Sequence, residues 1–142
     1  MRKIPVEIYN CEVLTFDSYT DLKRYCKRMD ANIPESEFTY TDLGSIQDTS
    51  GGMAGVLVYP EQPADLFFAV DTEQYVNDDK VDYPDLMNAV SHEALHMTWF
   101  ILDSVGVEVS ADNHEQMTYL EGYLVKKYLE LHRVFENGKK GK

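Results

Sequence analysis

Residues 83–106 read YPDLMNAVSHEALHMTWFILDSVG and predict the helix around which the rest of the fold is arranged. Pro84 suits the first turn of a helix, and Gly106 suits the left-handed position that ends one. One apolar stripe recurs at helical spacing between them: Met87, Val90, Ala94, Met97, Ile101 and Val105. A second set, Leu95, Trp99 and Leu102, predicts that little of the C-terminal half faces water.

The residues before this helix predict a small sheet and one further helix. Apolar residues near the N-terminus fit one bent strand or a hairpin, and Ser18 with Asp21 resembles the start of a short helix. Residues 55–59 and 66–70 read as two strands that are expected to pair antiparallel. The polar segment 30–52 is expected to be a long loop.

A last helix is predicted to start near Asp112 or Asn113. Its apolar face contains Met117, Leu120, Leu124, Tyr128, Leu131 and Phe135. His132, near its end, is expected to face solvent, and residues 137–142 are expected to form a flexible basic tail. The predicted fold is one α+β domain over residues 1–136, with a small antiparallel sheet packed on the two long helices.

The charge of the chain excludes one class of function. The net charge is −12, so the electrostatic attraction that supplies most nonspecific nucleic-acid binding is missing, and direct nucleic-acid binding is not expected. No apolar run approaches the roughly 20 residues needed to cross a bilayer, and the N-terminus lacks the apolar stretch of a signal peptide. A cytoplasmic protein without membrane contact is expected.

The segment from His92 to His96 has the spacing His-Glu-x-x-His within the predicted helix. Four residues advance a helix by about 6 Å and about 400°, so both imidazoles leave the same face and can bind one metal ion, with zinc expected. Glu93 is displaced by about 100° from His92, which predicts a general base acting on a metal-bound water. The alternative is that two core histidines and a glutamate share this spacing by chance.

A catalytic zinc site normally has three protein ligands, so a third residue is needed. Glu115 is the expected third ligand, because it lies near the start of the following helix and Gly106 lets the chain turn back. The same glutamate can instead cap its helix, since Asp112 to Glu115 has the form of a capping box. The competing ligands are His114, Asp112 and Glu121.

This helix pair resembles the gluzincin metallopeptidases, the thermolysin-like and aminopeptidase group, in which a glutamate on the next helix completes the site. Residues 89 to about 129 also resemble small, mostly uncharacterised proteins of tailed bacteriophages. The matching elements are His92-Glu93-x-x-His96, Ile101-Leu102-Asp103 with Gly106, and Glu115 followed by Tyr119-Leu120 and Gly122-Tyr123-Leu124-Val125. The resemblance implies a compact zincin-like fold, the cytoplasm of a phage host, and Glu115 as a ligand. It implies no particular substrate.

These observations predict a zinc-dependent hydrolase, more narrowly a metallopeptidase, with one zinc ion per chain, Glu93 as base and a peptide or protein substrate. The first alternative is a phage accessory protein whose acidic surface imitates DNA and blocks a host or defence protein, with a purely structural metal. The second is a degenerate peptidase fold that binds peptides without cutting them. Tyr119 and Tyr123 either stabilise an oxyanion in the same cleft or pack in the core.

Overall fold

The computed structural model describes residues 1–34 and 51–135. The elements in chain order are β1 (Arg2–Val6), β2 (Cys11–Phe16), α1 (Tyr19–Met29), β3 (Gly52–Leu57), β4 (Asp65–Val70), β5 (Val76–Asn77), β6 (Lys80–Val81), α2 (Tyr83–Ser104) and α3 (His114–Leu131). Short 3₁₀ turns cover Glu7–Tyr9 and Thr72–Tyr75. Most of the predicted loop 30–52 and all of the predicted tail 137–142 lie outside the described residues.

Four strands form one mixed sheet in the order β1-β2-β4-β3. The pairs β1–β2 and β3–β4 are antiparallel, but the central pair β2–β4 is parallel. The predicted α+β class is therefore confirmed, whereas the prediction of a purely antiparallel sheet is wrong. The physical reason is the connection through α1, because parallel neighbours require a crossover and not a tight turn.

The sheet lies between two helical layers. Side chains of β2 and β4 alternate between the layers, with Val13 and Phe68 facing α2 and α3, and Leu14 and Phe67 facing α1. Since both faces of these strands are buried, their sequences read as continuous apolar runs. β3 is an edge strand of the sheet, and it contacts α2.

Local signals define the helix ends, and those at Ser18 and Gly106 are the ones that the sequence predicts. The Ser18 hydroxyl accepts a hydrogen bond from the Asp21 amide at the start of α1, and the Asp82 carboxylate accepts one from the Asp85 amide at the start of α2. Gly106 has φ of +77° and follows the end of α2 in the left-handed conformation. Because each end depends on a few neighbouring residues, it is visible in the sequence.

The second apolar stripe of α2 is partly exposed. Leu95 is 44% exposed and Trp99 is 53% exposed, so the prediction that little of this half faces water is wrong. The reason is that α3 covers only one side of α2, the side that carries Ser91. In the parts of the chain that the structure describes, no helix combines the length and apolarity needed to cross a membrane.

The end of α3 is anchored to the sheet by buried polar contacts. The Tyr128 hydroxyl donates to the carbonyl of Phe16 at 2.9 Å, and His132 Nε2 lies 2.6 Å from the Thr15 hydroxyl. Thr15 donates its own hydrogen to the carbonyl of Arg2, so His132 is the donor in the pair. His132 is 7% exposed, which makes the prediction of a solvent-facing side chain wrong. Burial lowers the pKa of His132 to about 4.

Candidate metal centre

The motif residues of α2 point in different directions around the helix. The Ser91 hydroxyl donates to the Glu121 carboxylate of α3 at 2.8 Å, so Ser91 marks the side that faces α3. Helical geometry places Glu93 about 200° away from that direction, and His92 and His96 between the two at about 100° and 140°. Both histidines are exposed, while Glu93 is 5% exposed. The imidazoles are therefore accessible to an ion, and the carboxylate is held against the protein.

The ring nitrogens of the two histidines lie close together. Their Nε2 atoms lie 3.2 Å apart. With zinc–nitrogen bonds of about 2.05 Å, a separation of this size corresponds to an angle of about 103° at the ion, close to the tetrahedral value. A hydrogen bond between the two rings produces a similar separation in the absence of metal. The separation of the two Nε2 atoms is therefore compatible with a shared zinc ion and with a ring–ring hydrogen bond.

Glu93 completes the group on its buried side. Its carboxylate and the two histidine nitrogens all lie within 4.8 Å of one another. Burial raises the pKa of Glu93 from 4.5 to about 7, because desolvation disfavours the charged carboxylate. A carboxyl group with this pKa can take up and release a proton near neutral pH, as a general base must.

Gly52 allows Glu93 its position. A Cβ atom on Gly52 would lie 2.8 Å from Glu93 Cγ, closer than real Cβ contacts, and 3.1 Å from the carbonyl oxygen of Ala69, which is tighter than most of them. The first residue of β3 therefore has to lack a side chain for the carboxylate to pack here. The sequence contains the Gly51–Gly52 pair, but a glycine pair after polar residues indicates only a turn.

A cavity of about 310 Å³ opens beside Glu93 and His92. Its other walls include the Gly51–Gly52 backbone, the Tyr75 side chain, and Asp85 from the first turn of α2. Sequence reasoning missed Tyr75, because nothing in its local pattern relates it to a motif that begins 17 residues later. A larger groove, of about 500 Å³, lies elsewhere, between the turn Glu7–Tyr9 and α3.

Glu115 lies where the sequence predicts, in the first turn of α3, and it is exposed. Across residues 1–34 and 51–135, the close group of metal-binding side chains consists of His92, Glu93 and His96, without Glu115. The N-cap of α3 is Asn113, whose side chain makes no capping hydrogen bond, so the predicted capping box is not formed. The role of Glu115 as third ligand stays a prediction.

The two tyrosines that follow Glu115 lie outside the cavity at Glu93. The Tyr123 hydroxyl donates to the carbonyl of Pro5, and Tyr119 is 76% exposed. Both side chains line the larger groove between the turn Glu7–Tyr9 and α3. Neither is therefore placed to stabilise an oxyanion beside the histidines.

Comparison with known proteins identifies no family for this chain. The chain matches no protein-family model, no curated protein and no solved structure. The zincin-like fold and the similarity to phage proteins stay expectations from the sequence.

Proposed function

We propose that the protein is a zinc-dependent hydrolase, more narrowly a zincin-like metallopeptidase, with His92 and His96 as metal ligands and Glu93 as general base. The observation that supports it best is the 3.2 Å separation of the two Nε2 atoms on an exposed helix face. The buried carboxylate of Glu93 lies within 4.8 Å of both nitrogens, which supports its role as the general base. A chance pair of core histidines accounts poorly for two exposed rings converging beside a buried acid.

Zinc and Glu93 have separate roles in the proposed hydrolysis. Zinc, when bound, acts as a Lewis acid on the substrate carbonyl and makes water a better nucleophile. Glu93 accepts a proton from the water whose oxygen forms the new bond to the carbonyl carbon. When the carbon–nitrogen bond breaks, Glu93 returns that proton to the amine nitrogen, so the products are a carboxylic acid and an amine.

The surface around the histidines supports a peptide as substrate. Leu95 and Trp99 follow His92 by three and seven residues and share its exposed helix face. Apolar side chains of a peptide can bind there, while its backbone enters the cavity beside Glu93. Exposed large apolar residues next to a polar cavity are typical of ligand-binding surfaces.

Two measurements on three proteins test this proposal. Zinc-loaded wild type, Glu93→Gln and Glu130→Gln are incubated with a mixture of internally quenched fluorescent peptides, and their zinc content is measured by elemental analysis. Glu130 is a matched control, because it is an exposed carboxylate of α3 that pairs with lysines. We expect one zinc ion per chain in all three, and cleavage by wild type and Glu130→Gln alone. Wild type without zinc, or undiminished cleavage by Glu93→Gln, contradicts the proposal.

A second candidate is an accessory protein that acts by binding, favoured by the net charge of −12. Such a surface attracts a basic host or defence protein over a long range, and the metal then serves structure alone. In that case Glu93→Gln keeps full activity, whereas replacing exposed aspartates and glutamates with amides abolishes it. The same variant therefore separates the two candidates.

A further inference from the structure

Tyr75 lines the cavity at Glu93 and has no role in the hydrolysis proposed above. The turn Thr72–Tyr75 follows β4 directly and is organised by Asp71, a buried residue. The Asp71 carboxylate accepts hydrogen bonds from the Tyr19 amide at 3.1 Å and from the Gln74 side chain at 2.9 Å. Asp71 thus ties the turn that carries Tyr75 to the start of α1.

Further backbone contacts attach this turn to both neighbours of the cavity. The Asp71 amide donates to the carbonyl of Gly51 at 2.8 Å, next to β3. The carbonyl of Tyr75 accepts a hydrogen bond from the Asp82 amide at 2.7 Å, at the start of α2. Because β3 and α2 form the walls of the cavity, the position of Tyr75 is set by the same elements that position Glu93.

The phenol and the carboxylate line the same cavity, and each packs against one residue of the glycine pair. A Cβ on Gly51 would lie 2.0 Å from the Tyr75 hydroxyl oxygen, and a Cβ on Gly52 would lie 3.0 Å from Glu93 Oε2. Burial, and after it the charge of Glu93, raise the pKa of Tyr75. The phenol therefore keeps its proton at neutral pH and is a hydrogen-bond donor.

We infer that Tyr75 is a second catalytic residue, whose hydroxyl donates a hydrogen bond to the scissile carbonyl oxygen as that oxygen gains negative charge. This inference rests on the proposed hydrolase. No bond of the tyrosine breaks, since the hydroxyl keeps its proton and only stabilises charge. A donor fixed before the reaction is effective because no reorganisation is needed when the charge develops.

Acetohydroxamic acid is a suitable probe, because it binds catalytic zinc and presents oxygens to neighbouring donors without any knowledge of the substrate. Its dissociation constant is measured by isothermal titration calorimetry with zinc-loaded wild type, Tyr75→Phe and Tyr119→Phe. We expect all three to hold one zinc ion, and Tyr75→Phe to bind about 10-fold to 100-fold more weakly. Tyr119→Phe removes an exposed hydroxyl outside the cavity and is expected to match wild type.

A peptide cleaved by wild type provides the second readout. We expect Tyr75→Phe to lower kcat by about 100-fold or more and to change KM little, since the hydrogen bond strengthens only in the transition state. Gly51→Ala displaces the hydroxyl without removing it and is expected to cause the same two losses, which covers the case in which Tyr75→Phe fails to fold.

The measurements distinguish a wrong role for Tyr75 from a wrong hydrolase proposal. Wild type that holds zinc and binds the hydroxamate, together with a Tyr75→Phe protein of equal affinity and kcat, overturns the role of Tyr75 and leaves the hydrolase intact. Wild type that holds no zinc overturns both. A Tyr75→Phe protein that loses zinc and thermal stability in parallel with activity shows a structural role and also overturns the inference.

Discussion

Replacing Glu93 by Gln is expected to stabilise the metal-free protein at alkaline pH and to change its stability little at acid pH. The pKa of Glu93 is raised from 4.5 to about 7 by burial, so the folded state binds this proton more tightly than the unfolded state does. Stability from this group is fully present below about pH 4.5 and is lost as the pH rises through about 7. Gln has nearly the same shape and carries no charge at any pH.

The size of the effect follows from the two pKa values. A difference of one pKa unit corresponds to about 1.4 kcal/mol, so the change from 4.5 to about 7 amounts to about 3 kcal/mol. Wild type therefore loses about 3 kcal/mol between pH 4 and pH 8 through this group alone. Other titrating groups are common to wild type and Glu93→Gln, and their contributions cancel in the difference between the two proteins.

The assay is urea unfolding of the metal-free proteins at pH 4 and pH 8, followed by far-UV circular dichroism. The free energy of unfolding of Glu93→Gln is expected to exceed that of wild type by about 3 kcal/mol at pH 8, and to equal it within about 0.5 kcal/mol at pH 4. Glu130→Gln, at an exposed position, is expected to show no such difference. A Glu93→Gln protein that is less stable than wild type at pH 8, or a gap that does not change with pH, refutes the reasoning.

Further changes test the metal centre, the glycine and the buried histidine. His96→Ala is expected to reduce bound zinc from one ion per chain to nearly none, and Glu115→Ala to weaken zinc affinity about 10-fold or more, both measured by elemental analysis after dialysis against a weak chelator. Gly52→Ala is expected to lower the free energy of unfolding by about 1–3 kcal/mol, because its Cβ meets Glu93 and the backbone of Ala69. Since burial lowers the pKa of His132 from 6.5 to about 4, wild type is expected to lose about 3 kcal/mol as the pH falls through that interval, and His132→Gln to lose less.

Each of these expectations has a result that contradicts it, and for His96→Ala that result is a zinc content equal to that of wild type. Zinc affinity unchanged in Glu115→Ala removes that residue from the ligand set and leaves His92 and His96 in place. Full stability of Gly52→Ala shows that Glu93 can move away without cost. A pH profile shared by wild type and His132→Gln assigns the acid sensitivity to other groups.

Much of the fold can be predicted from the sequence because its signals are local. The ends of α1 and α2 depend on Ser18, Asp82 and Gly106, each of which acts within about four residues of its own position. The convergence of His92 and His96 is local in the same sense, since four residues on one helix determine it. The exposure of Trp99 was not predictable in this way, because it depends on which side of α2 is covered by α3.

The amino-acid sequence by itself determined the helices, the antiparallel pair β3–β4 and the spacing of the histidine pair, because hydrogen bonds and side-chain directions within one segment control them; for β1 and β2 it left a bent strand or a hairpin open. Only the tertiary structure decided the parallel contact of β2 with β4, the burial of His132 against Thr15, and the cavity that Tyr75 and Glu93 line together beside Gly51 and Gly52. These features join segments that are far apart in the chain. They depend on the packing of the whole core, so no local sequence pattern predicts them.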